Sequence, residues 1–263
     1  MTYLGVDSSA SINPSAAQIL RENGISFVGR YLVPAGMGKN LTEAEVINIH
    51  NAGLAILPCW EIEAAAVKEG AERGSKDGYR AKQLAMNFGM PSGTTIFFAC
   101  DYFATEADYP IIEQYIRAAQ AAVYPYIAGL YGHAGIVDYL GNRRACDRFW
   151  QCVAWSSGRV SKYTNVYQYQ WQGGADAQGI YRKVGFYVDM NRTESMDAAG
   201  LWMPKQEPHW YDDAMAWGEK TGIMKDGRPN DPVTRAEAIT MLMRYHNIFA
   251  AEDDKTASGL LSD

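Results

Sequence analysis

Four acidic residues stand at the ends of short apolar runs within the first 203 residues of the chain. They are Asp7, Glu61, Asp101 and Asp189. If these runs are parallel strands of one barrel, the strand ends meet at one mouth and bring the four carboxyl groups together. Carboxyl groups that share a site raise one another's pKa, so that one of them can keep its proton near neutral pH.

Two kinds of chemistry use such a cluster. Glycoside hydrolysis needs a protonated carboxyl group for the leaving oxygen and a carboxylate that supports the oxocarbenium-like transition state or activates water. A hard divalent cation that serves hydrolysis or deacetylation would also bind several carboxylates. Because no His-rich cluster accompanies the acids, we expect neither a metal nor another cofactor. Glu63 competes with Glu61 for the position after the third run.

Aromatic residues make up 12% of the chain, and several follow the same strand ends. Such rings stack on the faces of sugars, and they also fill the tops of barrels. The rings for which we predict substrate binding are Tyr31, Trp60, Tyr102, Tyr131, Trp155 and Trp171. Gln170, at the end of the seventh run, is expected to hydrogen-bond a polar substrate.

Eight strand-like runs alternate with amphipathic stretches and would position these residues. The runs are 4–7, 26–31, 54–60, 95–101, 127–131, 149–154, 165–170 and 186–189, with the clearest helices at 15–23, 42–51, 71–88 and 109–123. Asn13 before Pro14, and Thr42 with Glu45 three residues later, are helix-start signals. Strands joined by crossovers predict parallel pairing, and eight of them close a (β/α)₈ barrel of the α/β class. An open doubly wound sheet is the alternative, although the first run lacks a Gly-rich phosphate turn.

Composition divides the 263 residues at about residue 204. Residues 1–203 hold 17 Lys and Arg against 19 Asp and Glu, whereas residues 204–263 hold 7 against 11. The net charge of −6 argues against a nucleic-acid partner, which needs a basic face. The sequence contains no run of about 18 apolar residues, so it predicts no membrane span. Residues 204–263 predict a small helix–loop–helix domain with helices at 209–221 and 232–247.

The first 203 residues resemble a family of glycoside-hydrolase-like TIM barrels of unknown function. The resemblance rests on residues 3–9 (YLGVDSS), 27–31 (FVGRY), 95–102 (TIFFACDY) and 187–189 (YVD). These barrels are similar to family 25 lysozymes, which cut the N-acetylmuramic acid–N-acetylglucosamine bond of peptidoglycan. The resemblance implies that Asp7, Asp101 and Asp189 match acidic positions of that family.

One motif departs from the family 25 pattern. Those lysozymes usually carry Asp-x-Glu on the fourth strand, with Glu as the general acid, whereas this chain has Ala99-Cys100-Asp101. The resemblance therefore leaves two alternatives open: Glu61 supplies the second acid from the third strand, or the activity is weak or lost.

The C-terminal residues resemble a surface-layer homology module, a bacterial cell-wall anchor. Trp210, Thr234, Arg235 and Glu237 match its pattern. The resemblance implies that they bind the wall, with Arg235 on an anionic wall polysaccharide. Such anchors usually have three copies, so a single copy implies weak binding unless chains associate into a homo-oligomer through this module.

Together the two resemblances imply a phage-endolysin-like peptidoglycan hydrolase with peptidoglycan and secondary cell-wall polysaccharide as partners. Glu61 or Asp101 would be the general acid, while Asp7 and Asp189 orient the substrate and tune the pKa of that acid. The N-terminus lacks a signal-peptide pattern, so we expect synthesis in the cytoplasm and action at the wall after release. The alternative is a non-catalytic protein whose barrel only holds wall glycan.

Overall fold

The structure is a computed structural model that describes residues 1–204, 217–223 and 233–258. The chain forms two compact units, Met1–Lys205 and Gln206–Asp263. Among the described residues, no helix is both long and apolar enough to cross a membrane.

The first unit is a closed barrel whose eight strands follow one another in chain order. Its elements are β1 Tyr3–Asp7, α1 Pro14–Glu22, β2 Ile25–Tyr31, α2 Glu43–Asn51, β3 Ala55–Trp60, a 3₁₀ turn Ala66–Glu69, α3 Gly70–Asn87, β4 Thr95–Ala99, α4 Tyr109–Val123, β5 Ile127–Gly132, α5 Ala134–Asn142, β6 Phe149–Cys152, β7 Val166–Gln170, α6 Ala175–Val184, β8 Asp189–Thr193 and α7 Met196–Ala199. The predicted eight-stranded α/β barrel is confirmed, and the open doubly wound sheet is wrong.

Two predicted helix starts are confirmed by their hydrogen bonds. The Asn13 side chain accepts from the Ala16 backbone N–H at 2.8 Å, with Pro14 in the first turn. Thr42 Oγ1 accepts from the Glu45 N–H at 3.3 Å. These caps satisfy backbone donors that have no partner inside the helix.

The last strand runs in the opposite direction to the others. Strands β1 to β7 pair in parallel with their chain neighbours, but β8 is antiparallel to both β1 and β7. The predicted parallel strand at 186–189 is therefore wrong, because β8 begins at Asp189, where that run ends. Polar residues occupy every second position of β8, at Asp189, Asn191 and Thr193. An apolar run therefore does not mark this strand in the sequence.

The apolar core has two layers, one on each side of the barrel wall. The outer layer joins the strands to the surrounding helices and includes Val28 and Phe98. The inner layer fills the barrel with side chains such as Phe27 and Phe97. Leu201, from the segment after α7, also packs in the inner layer. Full burial of one such side chain contributes about 1.5–3 kcal/mol. The inner layer fills the barrel below the strand ends where the predicted acids stand.

The second unit is described at residues 217–223 and from residue 233 through α8, Arg235–Ser258. Thr234 Oγ1 accepts from the Glu237 N–H at 3.2 Å, and Glu237 Oε2 accepts from the Thr234 N–H at 2.9 Å. This reciprocal pair is a capping box at the start of α8. Arg235 is exposed in the first turn of α8. Trp210 lies outside the described residues.

Candidate active site

The four predicted acids line one pocket of about 100 Å³ at the mouth of the barrel, the end where the parallel strands finish. Its lining residues are Asp7, Tyr31, Cys59, Glu61, Asp101, Tyr131, Trp150, Gln168 and Asp189. Asp7 ends β1, Glu61 and Asp101 follow β3 and β4, and Asp189 begins β8. Because β8 is reversed, its first residue reaches the mouth. The structure brings the four acids together, and their catalytic roles remain predictions.

Asp7 and Asp189 form a pair that one glutamine bridges. The two residues are directly opposite each other on β1 and β8. Gln168 Nε2 donates to Asp7 Oδ2 at 2.9 Å and to Asp189 Oδ2 at 3.1 Å, and Asn191 Nδ2 donates to Asp7 Oδ2 at 2.7 Å. Gly29 on β2 leaves space for this pair, because a Cβ there would lie 2.5 Å from Asp7 Cβ.

Two aromatic side chains orient the amides that hold this pair. The Tyr131 hydroxyl donates to Gln168 Oε1 at 2.9 Å, and Trp150 Nε1 donates to Asn191 Oδ1 at 2.7 Å. Each amide oxygen is thereby occupied, so each amide nitrogen faces the carboxyl groups. All these donors are uncharged.

The pKa of Asp7 is raised to about 7: burial is the largest cause and the nearby Asp189 charge adds to it, while the amide donors oppose the rise. Burial also raises the pKa of Asp189. Two carboxyl groups this close resist simultaneous ionisation. The pair can therefore hold a proton near neutral pH.

The other two acids have a cationic neighbour. Lys39 Nζ lies 2.6 Å from Glu61 Oε1 and 4.2 Å from the centroid of the Tyr31 ring. Burial raises the pKa of Asp101, and the Glu61 charge adds to this effect while Lys39 opposes it. This half of the pocket therefore contains an ion pair beside a carboxyl group whose pKa is raised.

The predicted aromatic residues are divided between the site and the rest of the barrel. Tyr31 and Tyr131 line the acid pocket. Trp171 lines an adjoining groove of about 210 Å³ that shares Asp7, Tyr31 and Asp189 with the pocket.

Three other predicted rings line neither of these two cavities. Trp60 is buried in the outer core layer, because the strand alternation turns its neighbour Cys59 inward instead. Tyr102 packs against that outer layer under Lys68. Trp155 is exposed on the loop after β6. The substrate-binding prediction for Trp60 and Tyr102 is not supported by where their rings lie.

Gln170 also lies away from the pocket. Its Oε1 accepts from the backbone N–H groups of Asp176 and Ala177 at 2.8 and 3.0 Å and so caps α6. The pairing of β7 with β8 slips here, since Gln168 is opposite Asn191 while Gln170 is opposite Met190. This bulge interrupts the alternation of side chains, so Gln168, not Gln170, is the glutamine in the pocket.

Sequence reasoning missed Lys39, Trp150, Gln168 and Asn191. Gln168 and Asn191 are polar residues at alternate positions of neighbouring strands, which is a detectable signal once β7 and β8 are known to pair antiparallel. Lys39 comes from the loop between β2 and α2 and carries no comparable pattern. Among the described residues, no group of three or more His, Cys, Asp or Glu side chains is arranged to hold a metal ion.

Comparison with known proteins places the barrel in a family. The sequence model described as "Rv2525c-like, glycoside hydrolase-like domain" matches residues 18–193. The chain belongs to this family. Among curated proteins, the chain is similar to "Uncharacterized protein YbfG" of Bacillus subtilis (strain 168), which is 36% identical over 124 residues. That match covers 44% of this chain but only 16% of YbfG.

Solved structures support the same fold. The Tat-secreted protein Rv2525c of Mycobacterium tuberculosis, crystallised with L-tartrate, superposes with a TM-score of 0.64 at 22% identity over 76% of this chain and 98% of that one. The catalytic domain of endolysin ply40 from bacteriophage P40 of Listeria monocytogenes gives 0.51 at 14% identity over 76% and 96%. The barrel thus has a glycoside-hydrolase-like fold that resembles an endolysin catalytic domain.

Proposed function

We propose that the barrel hydrolyses glycosidic bonds of bacterial peptidoglycan. The observation that carries this proposal is the convergence of four carboxyl groups on one pocket at the mouth of a glycoside-hydrolase-like barrel. Glycosidases need carboxyl groups in two protonation states at one site. The raised pKa values of Asp7, Asp101 and Asp189 favour such a mixture.

Asp101 is the general acid in this proposal. Burial and the Glu61 charge help it to keep its proton, which passes to the leaving oxygen as the bond to the sugar C1 breaks. An ionised carboxylate of the Asp7–Asp189 pair stabilises the positive charge that develops at C1, until water adds its oxygen to C1 and gives up a proton that restores the acid. Glu61, paired with Lys39, tunes the acid through its charge.

The release of reducing ends from purified Gram-positive cell walls tests this function. Asp101→Asn should lower the rate by about 10²- to 10⁴-fold, the usual contribution of a general acid. Glu72→Gln is the matched control. Because Glu72 is exposed on α3, the activity of this variant should be unchanged. Full activity in Asp101→Asn would contradict this assignment, and a comparable loss in Glu61→Gln alone would assign the acid to Glu61 instead.

A non-catalytic barrel that binds wall glycan is the second candidate. It is favoured by the Lys39–Glu61 ion pair, which engages one of the four acids, and by Ala99, which occupies the inner core layer at the end of β4 where a second acid is expected. Binding to cell walls that persists in Arg235→Ala, without release of reducing ends by the wild-type chain, would select this function.

We also propose that Gln206–Asp263 tethers the chain to anionic wall polysaccharide. In this proposal, chains associate through this unit and so gain avidity. The chain would act at the wall after release from the cytoplasm. Arg235 supports this role because it is exposed in the first turn of α8, where the helix dipole favours anions. Arg235→Ala should reduce co-sedimentation with cell walls, whereas Lys220→Ala, at another exposed cation, should not. Equal binding by wild type and Arg235→Ala would reject the role of Arg235.

A further inference from the structure

The groove beside the acid pocket carries two large aromatic rings that face solvent. Besides Asp7, Tyr31 and Asp189, which it shares with the pocket, its lining residues are Ser8, Ser9, Trp171, Gln172, Tyr187 and Val188. Trp171 is 61% exposed and Tyr187 is 56% exposed. We call this cavity the aromatic groove. Its shared residues make it continuous with the acid pocket.

Tyr187 is fixed in place by contacts on its backbone and its ring. Ser8 Oγ donates to the Tyr187 carbonyl at 2.7 Å, which ties the segment before β8 to the end of β1. The Tyr187 ring stacks on Tyr181 of α6 with a centroid separation of 4.6 Å and an interplanar angle of 15°. The ring therefore has one covered face, while the residue as a whole stays 56% exposed.

Trp171 is held by the short turn that follows β7. The Gly174 N–H donates to the Trp171 carbonyl at 2.8 Å. The indole lies over Gly173, where a Cβ would come within 2.4 Å of the ring. Gly173 thus allows the indole to lie close to its own backbone, which defines where the ring sits.

Two ordered and exposed aromatic rings in one cavity indicate a ligand surface, since apolar rings in solvent gain stability when a ligand covers them. The acidic side chains of Asp7 and Asp189 on the same lining disfavour an anionic ligand such as a nucleotide. An uncharged ring with apolar C–H faces and hydroxyl groups at its edge fits both features. A sugar has this chemistry.

We propose that the aromatic groove is a saccharide subsite that binds the sugar next to the one in the acid pocket. Trp171 and Tyr187 stack on its C–H face. The proposal rests on the proposed function only in taking the ligand to be a wall-type glycan. It adds the side of the acid pocket along which that glycan extends, towards β1, β8 and the turn after β7.

Isothermal titration with a soluble tetramer of β-1,4-linked N-acetylglucosamine tests the subsite. The titrations use the full chain carrying Asp101→Asn, so that the probe stays intact. In that background, Trp171→Ala and Tyr187→Ala should each weaken binding about tenfold, the loss expected for one aromatic stacking contact. Gly173→Ala should weaken it too, because the added methyl displaces the indole while Trp171 is retained.

Tyr79→Ala is the matched control, since Tyr79 is also an exposed aromatic residue, at 59%, but lies on α3 and lines neither cavity. Its affinity should be unchanged, and near-ultraviolet circular dichroism should show that all variants are folded. Absence of tetramer binding, or equal affinity in Trp171→Ala, Tyr187→Ala and the parent, would overturn the subsite. Trp171-dependent binding by a chain that never cleaves walls would support the subsite and reject the hydrolase.

Discussion

The two halves of the acid pocket hold their carboxyl groups by different means. On the β1–β8 side, the donors to Asp7 and Asp189 among the described side chains are the neutral amides of Gln168 and Asn191. On the β3–β4 side, the ammonium of Lys39 lies 2.6 Å from Glu61. An amide fixes the position of a carboxyl group without cancelling its charge, whereas an ammonium neutralises it.

This difference explains how one pocket can keep carboxyl groups in different protonation states. Neutral donors leave burial as the largest effect, and the pKa of Asp7 accordingly rises to about 7. A cation next to Glu61 limits the rise in the pKa of Asp101. Substitutions on the amide side should therefore change stability strongly, and those on the lysine side should mainly change the pH dependence of activity.

The largest effect is expected for Gln168→Leu. The change removes the donor to the buried Asp7 carboxyl group and the half-buried Asp189 carboxyl group, and it leaves the Tyr131 hydroxyl without its acceptor. We expect a loss of about 3–4 kcal/mol in the free energy of unfolding at pH 8, measured with urea. Gln170→Leu is the matched control and should cost only about 1 kcal/mol, because Gln170 caps α6. Equal losses in the two variants would show that Gln168 does not stabilise the barrel more than Gln170 does.

Asp7→Asn should stabilise the barrel in a pH-dependent manner. An aspartate whose pKa is raised on folding stabilises the folded state below about pH 4, and this contribution is lost as the pH rises to about 7. Asparagine carries no charge, so the variant should resemble wild type near pH 4 and exceed it at pH 8 by on the order of 2 kcal/mol. Thermal unfolding across this range measures the effect. A constant difference at all pH values would show that Asp7 is not the titrating group.

The smallest change in stability is expected for Lys39→Met. The Lys39–Glu61 pair is partly exposed, at 21% and 15%, so its loss should cost less than about 1 kcal/mol. Removal of the ammonium should raise the pKa of Asp101, because Lys39 lowers it. If Asp101 is the general acid, the alkaline limb of the pH profile of kcat/KM on cell walls shifts to higher pH. A shift to lower pH would contradict this arrangement.

The sequence predicted the barrel well because most of its strands have a buried, apolar signature. Strands such as β3 and β4 are buried along their whole length, which makes their runs easy to recognise. Asp7 and Asp101 could be identified because each directly follows such a run. Their convergence then depends only on the closure of the barrel.

Features that depend on strand pairing could not be predicted in this way. The run at 186–189 was interpreted as a parallel strand, although β8 starts at Asp189 and is mostly polar. Trp60 was assigned to the site because its type suits sugar binding, yet the alternation along β3 turns it to the helices. Gln170 ends the seventh run, yet the bulge in β7 turns it out of the pocket that Gln168 lines.

That bulge makes the composition of the site depend on the length of β7 as well as on its residue types. Tyr169 is the additional residue, and Gln170 leaves the pocket at the same place where Trp171 reaches the aromatic groove. In a regular strand, residues three positions apart point to opposite faces, so the additional residue lets Gln168 and Trp171 reach the same side at their present spacing. An insertion or deletion elsewhere in β7 would break that correspondence even if every neighbouring side chain were retained.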